Sequence, residues 1–240
     1  MPVDVVFAHE PIVVPIDGGD QRFAVRRIYC VGRNYVSHIR EMKEGDEKDP
    51  PFFFQKPTDS IVLDGGVVPF PPATDNLQFE IELVVAVGQS GRNVSAEEAW
   101  GLVYGYAVGI DLTRRDRQFE CRDLSRPWEA GKSFDHSAPC GAIRRRDAIG
   151  NMDTGAIHIC VNGVRKQSSD ISLMIWSVPE IIANLSRQYV LRPGDLIFTG
   201  TPEGVAKIGP GDVLEGSVTG LPPLRVSIGA AETTEGTLPC

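Results

Sequence analysis

Long apolar runs are missing from this 240-residue chain. Stretches such as Leu83–Val87 fall far short of the roughly 20 residues that a membrane-spanning helix needs, so neither a span nor a membrane partner is expected. The opening MPVDVVFAHE has no basic stretch followed by an apolar run. No secretory signal is therefore expected, and a cytoplasmic location is. Positive charge is scarce too: 24 Lys and Arg face 32 Asp and Glu, a net charge of −8. That balance argues against a nucleic-acid partner, which asks for a basic face. The 5 cysteines, at 30, 121, 140, 160 and 240, are odd in number, widely spaced and contain no CxxC. A zinc ribbon, a thioredoxin-like motif and a disulfide framework are all excluded on that pattern, and free thiols in a reducing compartment fit it. The 4 histidines, at 9, 38, 136 and 158, show no paired metal spacing, which disfavours zinc. No repeat or low-complexity tract is visible. Disorder of the bulk is excluded by a hydrophobic content of 42%.

What the chain has in quantity is punctuation: 25 glycines and 18 prolines, spread throughout. They cut it into short segments, the mark of many strands joined by tight turns. Residues 1–27 read as an extended lead-in, 28–228 as the main domain and 229–240 as a loose tail. Arg27–Gly32 reads as a strand and Asn34–Met42 as a short helix. A charged, core-poor loop, Lys43–Pro51, follows, and the segment from about His38 to Pro51 is expected to act as a mobile lid that orders with ligand. Phe79–Gly88 and Val103–Leu112 read as buried strands, with a helix beginning near Thr113. Capping boxes at Ser95–Glu98 and Ser177–Glu180 predict helices reaching Trp100 and Tyr189. Asn162-Gly163 predicts a type I′ hairpin. Turns at 192–195 and 209–212 each precede a strand. The expected class is α+β, rich in β structure, with a few helices packed outside.

Glu80 and Glu82 alternate with apolar residues, so in a strand they share one face. Two neighbouring carboxylates on a buried strand repel each other and lose hydration, and a divalent cation compensates best. A solvent-facing edge with two harmless acids is the other reading the spacing allows. Asp111, at the end of a second apolar strand, favours the metal: three carboxylates make a hard oxygen site suited to Mg²⁺ or Mn²⁺. His38 and Glu41 lie one helical turn apart, on one face. A carboxylate that fixes the imidazole tautomer makes a general base, although a plain surface pair has the same spacing. Lys132, between Trp128 and Phe134, needs an anionic partner or a route to water. The turn Thr199–Gly204, rich in hydroxyls and free amides, reads as an anion cradle. It has no Gly-Lys-Ser/Thr ending, so nucleotide binding is rejected.

Taken in order, CVGRNYVSHIREM (30–42), FEIELVVAVG (79–88), GYAVGIDLTRRDRQ (105–118), PWEAGKSFDHSAPCG (127–141), VNG (161–163) and FTGTPEGV (198–205) resemble the fumarylacetoacetate hydrolase family, over roughly residues 28 to 226. The likeness is greatest to its bacterial branch acting on fumarylpyruvate and other acylpyruvates in gentisate breakdown. It implies a mixed β-sandwich roll, a homodimer, and Mg²⁺ or Mn²⁺ held by Glu80, Glu82 and Asp111. It implies catalytic roles for His38, Glu41 and Lys132. Arg115, Gln118, Thr201 and, more weakly, Arg33 match positions that contact the 2-oxo acid end of a small-molecule substrate. The implied reaction is hydrolysis of the carbon–carbon bond of a 3-acylpyruvate, fumarylpyruvate giving fumarate and pyruvate. Oxaloacetate decarboxylation or general acylpyruvase activity is the alternative. A non-catalytic, metal-stabilised binding protein is an alternative of another class. Gln78-Phe79 stands where many relatives carry His-His, a departure beside the first acid.

Overall fold

The computed structural model describes residues 6–42 and 49–231, and two β-sheets carry its architecture. The first has six strands in the order Arg144–Arg145, Val103–Ile110, Ile81–Val87, Asp195–Phe198, Arg27–Gly32 and Phe52–Lys56. The second has five, in the order Val164–Asp170, Ala156–Val161, Val213–Val218, Leu224–Ala231 and Val67–Phe70. Most pairings are antiparallel. Asp195–Phe198 runs parallel to Arg27–Gly32, and Leu224–Ala231 parallel to Val67–Phe70, so both sheets are mixed. The expected α+β, strand-rich roll is what the chain forms. Among the described residues no helix is long and apolar enough to cross a membrane.

The sheets approach closely because glycine lets them. A Cβ on Gly216 would lie 2.6 Å from Ile81 Cδ1, across the sheet interface. Ile81, Leu83, Val85 and Val87 face the main apolar core, with Ile159, Leu214 and Val226 of the second sheet. The alternate residues Val84 and Ala86 face a smaller core with Ala107, Cys140 and Phe198. The helix Val178–Gln188 sets Val178, Ile181, Ile182 and Leu185 on one stripe against the main core. Its capping box is present, the Glu180 carboxylate accepting from Ser177 N at 2.8 Å. The Ser95–Glu98 box is present as well. Asn162 and Gly163 take φ of 50° and 76°, as a type I′ turn requires.

Three expectations change. The strand expected over Phe79–Gly88 starts later, at Ile81, and a separate short strand, Leu77–Gln78, pairs with Thr113–Arg114 before it. The Gln167 side chain takes the Ile81 N–H at 2.9 Å, so that donor is not available to a strand partner. Thr113 accordingly sits in a short strand, and the helix starts later, spanning Arg115–Asp123. The last strand runs through Ala231 on its parallel partner, past residue 229 where the tail was expected to start, and residues 232–240 lie outside the described residues. Within the lead-in, Val13–Pro15 and Arg22–Ala24 form a hairpin whose Val14 and Phe23 close the smaller core.

Candidate active site

The strand register builds the acidic centre. Ile81 pairs with Ile110, and one step on, Asp111 N–H donates to the Glu80 carbonyl at 2.8 Å. Glu80 and Asp111 therefore face each other across the ladder, and Glu82 shares the face of Val84 and Ala86, on the smaller core. One oxygen of each carboxylate lies within 4.8 Å of the others, and all three residues are buried. The solvent-facing edge is thereby ruled out.

Three cations pair with two of these acids, Glu80 and Asp111. Lys132 Nζ donates to Glu80 Oε2 at 2.8 Å, Asp111 Oδ2 at 2.8 Å and Thr113 Oγ1 at 2.7 Å. Arg115 donates to Glu80 Oε1 at 2.5 Å, Gln118 Oε1 at 2.5 Å and Gln78 Oε1 at 2.7 Å. Lys56 Nζ lies 2.9 Å from Asp111 Oδ1 and donates to the carbonyls of Leu112 and Lys132. Burial pushes the Glu80 carboxyl up, but Lys132 and Arg115 outweigh it and hold it well below the usual range. Glu82 goes the other way. Burial raises its carboxyl well above the ordinary value, the charges of Asp111 and Glu80 add to the rise, and the Gly200 N–H at 2.7 Å only partly offsets it. Lys132 is held protonated, since Asp111 and Glu80 overcome the cost of its burial.

A divalent metal fits this donor set. The ligand atoms are all hard oxygens. Glu82 has more negative charge around it than its hydrogen bond offsets. Among the described residues Asp111 Oδ1 is buried with no donor well aligned on it, the Lys56 contact being an ion pair.

The expected dyad is formed. On the helix Val36–Met42, His38 Nδ1 lies 3.2 Å from Glu41 Oε2. A carboxylate can only accept, so Nδ1 carries the proton and Nε2 is left as the basic nitrogen. The other Glu41 oxygen accepts the Gly204 N–H at 3.0 Å. Burial pushes the Glu41 carboxyl up, and the bonds from His38 and Gly204 more than reverse this, leaving it below its ordinary value. The turn Thr199–Gly204 is an anion cradle as expected, but the anions it holds are the protein's own: Gly200 serves Glu82 and Gly204 serves Glu41. Both glycines have positive φ, 97° and 98°, and a Cβ on Gly204 would meet the Lys166 carbonyl at 2.4 Å.

His38, Glu80, Glu82, Asp111, Arg115, Gln118, Lys132, Thr201 and Arg33 line one pocket, and Glu41 reaches it through His38. All ten expected residues thus converge on one place, although Arg115 spends donors on Glu80, Gln118 and Gln78. Gln78 shows what the departure from His-His does here: its carbonyl oxygen orients Arg115. Of the expected lid, residues 43–48 lie outside the described residues.

Sequence reasoning missed Lys56, Gln167 and Asn34. Gln167 ties Thr201 Oγ1, at 2.9 Å, to the Ile81 amide. Asn34 bonds the carbonyls of Thr199 and Trp176. Lys56 had one available signal, a lysine closing the apolar run Phe52-Phe53-Phe54. Lys56→Met keeps the length and removes the charge, leaving Asp111 Oδ1 buried without its cation. Breaking one side of a buried pair costs about 3–5 kcal/mol, so a clear fall in Tm is expected on thermal unfolding, smaller in the metal-loaded protein.

Comparison with known proteins follows the same lines. The family model for the fumarylacetoacetate (FAA) hydrolase C-terminal domain matches residues 27–229. A fumarylpyruvate hydrolase from a Ralstonia species is 45% identical over 181 residues, 75% of this chain and 94% of that protein. A mitochondrial oxaloacetate decarboxylase from Dictyostelium discoideum is 37% identical over 198 residues, 82% of this chain and 90% of its own. A crystal structure of fumarylpyruvate hydrolase from Pseudomonas aeruginosa, in complex with Mn²⁺ and pyruvate, superposes with a TM-score of 0.92 at 47% identity, covering 95% of this chain and all of that one.

Proposed function

The chain belongs to the fumarylacetoacetate hydrolase family, and from that premise we propose that it hydrolyses the carbon–carbon bond of a 3-acylpyruvate, fumarylpyruvate giving fumarate and pyruvate. The observation that carries this reading is the dyad beside the acids: a histidine whose tautomer is set by Glu41, on the pocket wall that Glu80, Glu82 and Asp111 share. A binding protein has no use for an oriented base, so the non-catalytic alternative is set aside.

The residues divide the work. Glu80, Glu82 and Asp111 hold Mg²⁺ or Mn²⁺, and a bound divalent cation supplies Lewis-acid polarisation of the 2-oxo acid. The Mn²⁺ in the Pseudomonas relative supports a divalent cation. Arg115, Gln118 and Thr201 orient the 2-oxo acid end. His38 takes a proton at Nε2 from a water, which attacks the far ketone carbon. As the bond to the pyruvate unit breaks, the Lys132 ammonium stabilises the charge developing on the departing enolate. His38 then returns its proton to the methylene carbon of that enolate, which leaves as pyruvate, while the attacked ketone carbon leaves as the carboxylic acid. With three buried carboxylates and three buried cations, the protein side of the site is near neutral. A divalent cation then gives it the surplus that an anionic substrate requires.

Oxaloacetate decarboxylation is the second reading. The Dictyostelium relative supports it, and it needs the acids and Lys132 but no attacking water. We place the enzyme in the cytoplasm as a homodimer serving gentisate-type aromatic breakdown. The direct test is pyruvate release from fumarylpyruvate. Release is expected with Mn²⁺ or Mg²⁺, loss with EDTA, and recovery on adding metal back. Undiminished release in EDTA, or none with either metal, sinks the reading.

A further inference from the structure

The pocket holds three cations of unequal standing. Lys132 and Arg115 direct their N–H groups to Glu80, Asp111 and Gln118, at the acidic end. Arg33 lies elsewhere on the wall, its guanidinium carbon 5.3 Å from the Phe52 ring centre and 5.9 Å from that of Trp128. Two aromatic rings link the two ends: Lys132 Nζ is 5.4 Å from the Phe54 ring, and Phe54 and Trp128 lie 6.0 Å apart.

The backbone at Arg33 is unusual. Its φ is 62°, a left-handed conformation that residues with a Cβ rarely adopt and that costs backbone free energy. Glycine or asparagine would take it more readily, yet arginine stands there. The flanking residues hold the turn in place. Gly32 leaves room for the Phe52 ring, since a Cβ there would fall 2.0 Å from Phe52 Cζ. Asn34 is buried and bonds Thr199 O at 2.8 Å, Trp176 O at 2.9 Å and Trp176 N at 2.7 Å. A strained residue clamped on both sides, with its side chain on the pocket wall, is an arrangement that presents that side chain.

We propose that Arg33 is the specificity-determining residue of the site, receiving a carboxylate at the far end of the acyl arm rather than the 2-oxo acid. It rests on the acylpyruvate reading above and narrows it to 3-acylpyruvates whose acyl group ends in a carboxylate. A flat, conjugated arm lies along the Phe54 and Trp128 rings, and its terminal carboxylate meets the guanidinium fork. Arginine suits this place better than lysine, because it stacks on the rings and still offers two parallel donors.

The experiment compares fumarylpyruvate with acetylpyruvate, which has no distal carboxylate, in the metal-loaded wild type, Arg33→Gln and Arg33→Lys. For Arg33→Gln, kcat/KM for fumarylpyruvate is expected to fall roughly 10- to 100-fold, the usual worth of a charge-assisted hydrogen bond. Acetylpyruvate should fall no more than about fivefold, which also shows that the variant is folded. Arg33→Lys should recover part of the loss, mostly as a lower KM. Equal falls for both substrates would place Arg33 at the 2-oxo acid or in the fold and overturn the proposal, and so would no fall for either. A wild type that cleaves neither substrate overturns the underlying reading instead, and this one with it.

Discussion

His38→Ala is expected to lower hydrolysis of fumarylpyruvate by roughly 10²–10⁴-fold, the range for loss of a positioned general base. The ring is buried on the pocket side of its short helix, and Glu41 holds it from one nitrogen. Without it no described side chain is as well placed to accept the proton of the attacking water. Decarboxylation of oxaloacetate involves no water attack, so the same substitution should cost that reaction much less. Glu41→Gln should act in the same direction and more mildly. The imidazole remains, but an amide can present either an acceptor or a donor to Nδ1, and the tautomer is no longer set. The measurement is kcat/KM for both substrates at saturating metal. If hydrolysis survives His38→Ala, or both reactions fall together, the dyad does not activate water.

A second large effect belongs to the acids. Glu82→Gln keeps the shape of the side chain and removes its charge. Metal affinity is expected to fall by more than roughly 10²-fold, since even the outer partners of a metal ligand are worth 10- to 100-fold. Both reactions should fall with it, as they should in Asp111→Asn. The fold should persist, because Glu82 carries a charge that burial and its acidic neighbours oppose. The readout free of turnover is thermal unfolding. Mn²⁺ should raise the Tm of the wild type and leave that of Glu82→Gln nearly unmoved.

The raised Glu82 carboxyl adds a pH signature. The folded, metal-free protein keeps this proton to higher pH than the unfolded chain does. Its stability relative to the unfolded chain therefore declines as pH rises from the ordinary carboxylate range through the raised value. A cation displaces the proton, so Mn²⁺ binding should release protons within that window and tighten as pH rises through it. Calorimetric titration in two buffers of different ionisation enthalpy reads the release directly. Binding with no proton release anywhere in the window would contradict the assignment.

Much of this was legible before any coordinates. Period-two alternation put Glu80 and Glu82 on one side of the chain, and the i, i+3 spacing paired His38 with Glu41. Capping boxes marked both helices, and Asn-Gly marked the hairpin. These are local rules, carried by residues a few positions apart. The start of the long strand at Ile81 was not legible, because the Ile81 amide is taken by the Gln167 side chain, 86 residues away. Lys56 was missed for a similar reason. Its partner Asp111 is distant in sequence and arrives only when the sheet closes.

By itself, then, the sequence determined which groups could do the chemistry: three carboxylates, one oriented imidazole and a lysine in apolar company. Tertiary structure decided what each group meets. It decided that the anions held by the hydroxyl-rich turn are the protein's own, Glu82 and Glu41. It committed Arg115 to Glu80 and Gln78, and set Arg33 against two aromatic rings. The reason is electrostatic: charge in a buried site is governed by distance and desolvation, and both are fixed by strand register and packing between segments far apart in the chain.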